Sequence, residues 1–156
     1  MRISRSFVAL TLSIALFTVF ISGCIGAADN KSTVSADSAM GQIDTGLAKG
    51  PVFVEFGASW CEWCTKEKPI VEGLSQEYPG ITFINVDTDN DTELAQDFYV
   101  NAIPQMNLIV RKNTNGSYLY IDATGEATAD RKKSAIIGYT EQDQLKPILD
   151  AALKAR

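Results

Sequence analysis

The stretch that decides the fold is residues 51–71, which read PVFVEFGASWCEWCTKEKPIV. The apolar run at 52–56 predicts a strand buried on both faces, and the residues after Cys64 predict the start of a helix. Cys61 and Cys64 therefore stand where a strand gives way to a helix. A cysteine pair with this spacing is suited to making and breaking a disulfide through a thiolate.

The predicted position of Cys61 has a physical consequence. At a helix N-terminus, unpaired backbone N–H groups and the helix dipole lower the pKa of a thiol from about 8.5 by one to several units. Cys64 lies nearly one turn later on the same face, where it can attack a mixed disulfide formed at Cys61. We expect Cys61 to be exposed and to attack, and Cys64 to be shielded and to resolve.

Other interpretations of the pair fit less well. A structural disulfide across two residues closes only a small loop and restricts the unfolded chain little. A structural zinc site needs four ligands, whereas the chain has no His and only one further cysteine, Cys24. A carrier holding Cu(I) between the two thiolates remains an alternative, weakened by the lack of His and of a Met near the motif.

Composition bounds the function. The chain has 156 residues, 46% of them hydrophobic, which is enough for one domain of ordinary size. The formal net charge is −5, and residues 24–156 alone hold 12 basic and 19 acidic residues. An acidic domain argues against nucleic acid or an anionic membrane surface as a partner. Because His is absent, proton transfer must use a carboxylate, a thiol or water.

The N-terminus predicts export. Residues 1–23 have a basic start and an apolar run at 7–21, shorter than the roughly 20 residues that span a membrane. The sequence ISGC at 21–24 resembles the lipobox of exported lipoproteins, which implies cleavage before Cys24 and a lipid on its sulfur. Small and polar residues at 24–37 predict a flexible tether. The alternatives are a secreted protein or an uncleaved N-terminal anchor.

The remaining chain, residues 38–156, alternates predicted helices and strands, so we expect one α/β domain. Asp37 or Ser38 can cap a first helix that Gly50 ends, and Thr140 is predicted to cap the last helix, with Asp143 in capping-box position. The other predicted elements are a helix after Cys64 that Tyr78-Pro79-Gly80 ends, strands at 81–86, 105–110, 117–121 and 135–139, and a helix at 92–99.

These elements and motifs resemble the thioredoxin superfamily over residues 51–156. The resemblance is carried by Trp60-Cys61-x-x-Cys64, Pro69, Ile103-Pro104 and Ile137-Gly138-Tyr139 before the final helix. It implies the thioredoxin fold, an α/β architecture in which helices flank a central mixed β-sheet. An additional hairpin is expected near 111–121, where Asn115-Gly116 favours a tight turn.

The resemblance also implies a mechanism. Cys61 and Cys64 would form the redox-active disulfide. Glu55 falls where thioredoxin has its buried carboxylate, six residues before the first cysteine, and would act as general base for the Cys64 proton.

A substrate-binding surface is implied around the cysteines. Pro104 matches the family's cis-proline, which would leave the Ile103 backbone free to pair with an extended substrate strand. Trp60 and Trp63 would form an apolar rim around the sulfurs.

The chain departs from thioredoxin at several positions. Glu62 and Trp63 stand between the cysteines where thioredoxin has Gly-Pro, Phe83 aligns with the lysine that partners the buried carboxylate, and Gln105 follows the cis-proline. A negative charge on Glu62 should disfavour the Cys61 thiolate, which favours a reductase. A disulfide oxidase or isomerase would use the same residues.

The expected protein is therefore a membrane-tethered, extracytoplasmic thiol–disulfide oxidoreductase. Its substrates would be exported or cell-surface proteins with disulfides or thiols, and its electrons would come from an unidentified redox partner. We expect a monomer that needs no cofactor and no metal.

Overall fold

The computed structural model describes residues 38–156. The predicted signal peptide at 1–23, the lipid on Cys24 and the tether at 24–37 lie outside the described residues and stay predictions. Among residues 38–156, no helix combines the length and the apolar character needed to cross a membrane.

Four helices and six strands make up the described region. The helices are α1 (Ala39–Leu47), α2 (Glu62–Glu77), α3 (Thr92–Asp97) and α4 (Gln142–Lys154); the strands are β1 (Val52–Gly57), β2 (Thr82–Asp87), β3 (Gln105–Lys112), β4 (Tyr118–Ile121), β5 (Ala127–Thr128) and β6 (Ile136–Ile137).

The strands form one mixed sheet in the order β2-β1-β3-β4-β5, with β6 paired to the first residues of β3. β1 is parallel to β2, and the other pairs are antiparallel. β1 is hydrogen-bonded on both edges and covered on both faces, so its residues from Val52 to Phe56 are all buried. The predicted α/β thioredoxin fold with a mixed sheet is confirmed.

Each face of the sheet carries its own core, because successive side chains of a strand point to opposite faces. Phe53 packs with residues of α2 and α4, including Leu74 and Leu149. Val54 packs on the other side with residues of α1 and α3, including Ile43. This alternation assigns Glu55 to the face that α2 and α4 cover.

The hairpin predicted near 111–121 is formed by β3 and β4. The Asn113 N–H donates to the Ser117 carbonyl oxygen at 2.7 Å, and Gly116 has φ +85°, a conformation that glycine adopts without strain. A second hairpin joins β4 to β5, a short strand that the sequence analysis does not predict.

Two predictions at the C-terminal end are corrected. The last helix is capped by Glu141, whose N–H donates to Gln144 Oε1 at 3.2 Å, and not by Thr140. Thr140 lies one residue before the N-cap, and its hydroxyl donates to the Gly138 carbonyl oxygen instead of accepting from the helix. The strand predicted at 135–139 is only two residues long, because only Ile136 and Ile137 pair with β3.

Candidate active site

Cys61 occupies the N-cap position of α2, as the sequence predicts. Its Sγ accepts a hydrogen bond from the Cys64 backbone N–H at 3.1 Å. The N–H and the hydroxyl of Thr65 both donate to the Cys61 carbonyl oxygen at 3.1 Å, which ties the residue to the first turn of the helix. The two cysteines form a disulfide with a Cα–Cα distance of 5.3 Å. The first turn of α2 therefore directs one backbone donor, the Cys64 N–H, at the Cys61 sulfur.

Exposure does not distinguish the two cysteines. Cys61 is 6% exposed and Cys64 is 9% exposed, so the prediction of an exposed Cys61 is wrong for the disulfide form. In this form each sulfur is covered on one side by the other. What differs is the surroundings, since the Cys61 sulfur meets a backbone N–H and Cys64 lines an inner cleft.

This inner cleft has a volume of about 500 Å³ and opens beside the β2 edge of the sheet. Its walls include Cys64, Glu55, Lys68, Asn85 and Asp87. The cleft thus connects the second sulfur, a buried carboxylate and solvent. It is open on the Cys64 side partly because residue 57 is glycine; a Cβ there would lie 3.3 Å from the Cys64 Sγ.

Glu55 is buried, with 3% of its surface exposed, on β1 between Asn85 of β2 and Met106 of β3. Its Oε2 has no hydrogen-bond partner within the described region. Burial, together with the negative charge of Glu67, raises the pKa of Glu55 from 4.5 to about 7, against a smaller opposing effect of Lys68. A proton acceptor with this pKa therefore lines the same cleft as Cys64, in a chain without His.

A second buried carboxylate, Glu67 on α2, was not predicted. It is 0% exposed, its Oε1 accepts the Thr140 N–H at 2.8 Å, and its Oε2 has no partner among residues 38–156. Burial raises its pKa to about 7 even though the Thr140 hydrogen bond lowers it. A sequence signal existed: Glu67 lies at helical spacing between Cys64 and Val71, on the buried stripe of α2.

The peptide bond between Ile103 and Pro104 is cis, as the resemblance implied. The Pro104 carbonyl oxygen accepts the Gly138 N–H at 2.8 Å, which fixes the loop to the segment after β6. Within residues 38–156, the Ile103 backbone takes part in no hydrogen bond. Its N–H and C=O are therefore available to an extended peptide.

The two tryptophans are exposed and held in place. Trp60 is 69% exposed, and its indole N–H donates to Asp89 Oδ2 at 2.8 Å. Trp63 is 54% exposed; its ring centroid lies 5.7 Å from that of Tyr139. Trp60 also lines a groove of about 550 Å³ together with Ile103. An exposed aromatic side chain on a groove is typical of an interaction surface, and here only Trp60 of the two tryptophans lines the groove.

Glu62, beside Cys61, lies on the outer surface of α2. Its carboxylate pairs with Lys66 Nζ at 2.7 Å, and this hydrogen bond and charge lower the pKa of Glu62. The negative charge next to Cys61 is thus partly balanced, so it disfavours the Cys61 thiolate less than the sequence alone suggests.

A buried polar network that was not predicted anchors the strand after Pro104. Gln105 Nε2 donates to the Phe98 carbonyl oxygen at 3.1 Å and to Asn107 Oδ1 at 3.0 Å. Asn107 Nδ2 then donates to Ser134 Oγ at 2.9 Å. Gln105 and Asn107 are two residues apart in β3, so their side chains lie on the same face of the sheet. The network therefore joins the cis-proline loop to the segment before β6.

Metal ligands are few in this region. Among residues 38–156, no group of three or more His, Cys, Asp or Glu side chains is arranged to hold a metal ion. The two sulfurs would become available to Cu(I) only on reduction, since here they are bonded to each other.

Comparison with known proteins agrees with this geometry. The thioredoxin family model matches residues 34–142. The thioredoxin of Chlamydia pneumoniae is 36% identical over 73 residues, covering 47% of this chain and 70% of the relative. The thioredoxin of Chlamydia trachomatis is 36% identical over 60 residues, or 38% of this chain, and the chain spans only 59% of that relative's length.

Among solved structures, Fasciola hepatica thioredoxin superposes with a TM-score of 0.55 at 23% identity, over 72% of this chain and 90% of that one. This likeness shows the fold alone. The family model covers most of the chain and includes the strand, the CxxC turn, α2 and the cis-proline loop. The chain therefore belongs to the thioredoxin family.

Proposed function

We propose that this protein is a thiol–disulfide oxidoreductase that reduces disulfides in exported or cell-surface proteins. The observation that carries the proposal is the Cys61 sulfur at the N-terminus of α2, accepting the Cys64 N–H at 3.1 Å. A thiolate at this position is stabilised in the reduced protein and can attack a disulfide. Membership of the thioredoxin family supports the same chemistry.

In the first step, the Cys61 thiolate attacks one sulfur of a client disulfide. A bond forms between Cys61 and that sulfur, the client S–S bond breaks, and the second client sulfur leaves as a thiolate that takes a proton from water.

In the second step, Cys64 transfers its thiol proton to Glu55, directly or through water in the inner cleft. The Cys64 thiolate then attacks the Cys61 sulfur, the intramolecular disulfide forms, and the client is released with its second thiolate. Two electrons have passed to the client. A reduced redox partner of unidentified class must then supply two electrons to the Cys61–Cys64 disulfide to restore the dithiol.

The client would lie across the groove that Trp60 and Ile103 share. An extended client segment would pair with the free N–H and C=O of Ile103, and the exposed indoles of Trp60 and Trp63 would contact its apolar side chains. We expect no nucleic acid partner, because the charge of the chain is negative.

The site of action is proposed from the N-terminal sequence. A lipid on Cys24 would hold the protein at the outer face of the cell membrane, with residues 24–37 as the tether. Mass spectrometry of protein extracted from membranes should find an N-terminal Cys24 carrying the lipid. An unmodified Cys24 in the mature protein would contradict the anchor and favour a secreted form or an uncleaved segment.

The activity is tested by reduction of insulin with dithiothreitol as electron source. Wild type should accelerate the reaction, and Cys64→Ser should abolish turnover because the mixed disulfide at Cys61 can no longer be resolved. The Cys24→Ser variant, which lacks only the proposed lipid, serves as the matched control and should react like wild type. If wild type does not catalyse the reaction and binds Cu(I) tightly, the protein is a copper carrier and not an oxidoreductase.

Clients can be identified with the same variant. Cys64→Ser should accumulate client proteins bound to Cys61 through a disulfide that dithiothreitol releases. Cys61→Ser/Cys64→Ser is the matched control and should capture none. Recovery of the same proteins with both variants would mean that they associate without disulfide exchange.

The reducing direction needs a direct measurement, because the exposed and paired charge of Glu62 disfavours the Cys61 thiolate only weakly. Family potentials range from about −270 mV for reductants to about −120 mV for oxidants. Equilibration of the Cys61–Cys64 pair with glutathione should give a value towards the reducing end. A value near the oxidising end would make the protein a disulfide oxidase or isomerase that uses the same residues.

A further inference from the structure

Two buried carboxylates, Glu55 and Glu67, share the space between the sheet and α2. They come from different elements, β1 and α2, and expose only 3% and 0% of their surfaces. Each leaves one carboxylate oxygen without a hydrogen-bond partner in the described region. Neither forms an ion pair among these residues, so two negative charges here would repel each other with little compensation.

The two groups differ in their access to water. Glu55 lines the inner cleft, so it can exchange a proton with Cys64 and with solvent. Glu67 is not on the cleft wall, and the Thr140 N–H holds its Oε1 at 2.8 Å. Glu55 can therefore exchange a proton with Cys64 and with solvent, whereas Glu67 acts on Cys64 only through Glu55.

The other charged or titratable groups around the pair are few. On α2, Lys68 opposes the Glu67 charge at Glu55, but its side chain is 66% exposed and its effect is the smaller one. From β2, Asp87 lies on the cleft wall. Before α4, Tyr139 is close enough that the Glu67 charge adds to the larger effect of Glu141 in raising the pKa of Tyr139. None of these neutralises the pair.

We propose that Glu67 is a positioning residue whose negative charge raises the proton affinity of Glu55, so that the doubly ionised pair takes up one proton and shares it. This inference rests on the proposed disulfide exchange, in which Glu55 accepts the Cys64 proton. The exchange then converts a doubly ionised pair into a singly protonated one, and the proton returns to water through the cleft. Like charges at close range make the second ionisation costly, and coupled groups titrate as a pair.

The kinetic test separates the two steps with an aromatic disulfide that releases a coloured thiolate at each one. Reduced wild type should show a first release from attack by Cys61 and a second from resolution by Cys64. In Glu67→Gln, the pH midpoint of the second release should fall by on the order of one unit, because Glu55 loses its like-charged neighbour. The first release should keep its wild-type pH profile.

The glutamine variant is chosen because its Oε1 can still accept the Thr140 N–H, so the link between α2 and α4 is kept. Glu77→Gln, which neutralises an exposed carboxylate on the same helix that is not on the cleft wall, is the matched control and should leave both profiles unchanged. An unshifted second release in folded Glu67→Gln would overturn the inference.

A measurement on the unmutated side chains keeps the inference testable if Glu67→Gln does not fold. Carboxyl ¹³C resonances of the oxidised wild type should show Glu55 and Glu67 each responding to two titration steps, since each senses the other's ionisation. Two independent single-step curves would overturn the inference. If wild type shows no second release, the proposed function fails, and the carboxyl titration still decides whether the pair is coupled.

Discussion

The two ends of the disulfide face carboxylates in opposite environments. On the outer side, Glu62 follows Cys61 directly, lies in solvent and pairs with Lys66. On the inner side, Glu55 and Glu67 lie behind Cys64, buried and without an ion-pair partner among residues 38–156. The same functional group therefore has a lowered pKa on one side and a raised pKa on the other.

This comparison shows that distance along the chain is a poor guide to electrostatic influence. Glu62 is adjacent to Cys61, yet water and Lys66 screen its charge. Glu55 is nine residues from Cys64, yet both line the same cleft, where a charge is desolvated and acts strongly. The buried side should therefore control the chemistry of the pair more than the exposed side.

The largest effect is expected from Glu55→Gln, which removes the proposed proton acceptor. Resolution by Cys64 should slow by about 10²-fold near neutral pH, the usual contribution of a general base. The first attack by Cys61 should be unaffected. Stopped-flow measurement of the two coloured releases checks both, with Glu77→Gln as control.

The effect of Glu55→Gln should also diminish as the pH rises, because Cys64 then ionises without help. An equal slowing of both steps would instead indicate a distorted site. In that case the variant would not support a specific role of the buried carboxylate in resolution by Cys64.

A second prediction concerns the pH dependence of stability. The folded-state pKa values of Glu55 and Glu67 are raised from 4.5 to about 7. Between these values the unfolded chain has released the protons that the folded chain still holds, so stability falls as the pH rises through this window.

The oxidised protein should lose on the order of 3 kcal/mol of unfolding free energy between pH 5 and pH 8. This is about half of what two such shifts imply at ~1.4 kcal/mol per unit, since water reaches Glu55 through the cleft. Urea unfolding at several pH values measures the loss. The double variant Glu55→Gln/Glu67→Gln should be nearly flat, and a wild type equally flat would argue against two costly buried charges.

The smallest effect is expected from Glu62→Gln on the outer side. The rate of attack by Cys61 should change by less than about threefold, because the lost charge is exposed and already paired with Lys66. The first coloured release at low and high salt measures this. A larger, salt-sensitive change would show that the exposed charge of Glu62 affects the Cys61 thiolate strongly. Glu62 would then be the residue that sets the redox direction.

Much of the site could be predicted because its parts are local. The strand, the turn with Cys61, and α2 follow one another within residues 52–77, so apolar pattern and helix-end physics place Cys61 at the N-cap. Ile103-Pro104 and Glu55 could be predicted only through the family resemblance, since neither cis geometry nor a buried carboxylate can be deduced from a short stretch. The structure places both as expected.

Glu67 was missed for a physical reason. Its position on the buried stripe of α2 was visible, but a glutamate on a helix is usually exposed. What allows its burial is the Thr140 N–H, contributed from 73 residues away. The exposure of Cys61 was predicted wrongly because it depends on the disulfide with Cys64 and on the packing around it.

The sequence by itself determined the order of the main elements and the dithiol at a strand-to-helix junction, because these depend on hydrophobic periodicity and on neighbouring residues. The mixed sheet around β1 was implied only by the family resemblance. Only the tertiary structure decided which carboxylates are buried, which sulfur meets the cleft and which backbone groups stay open to a client. Those properties depend on contacts between elements far apart in the chain, and such contacts decide whether a charge is solvated, paired or left to share a proton.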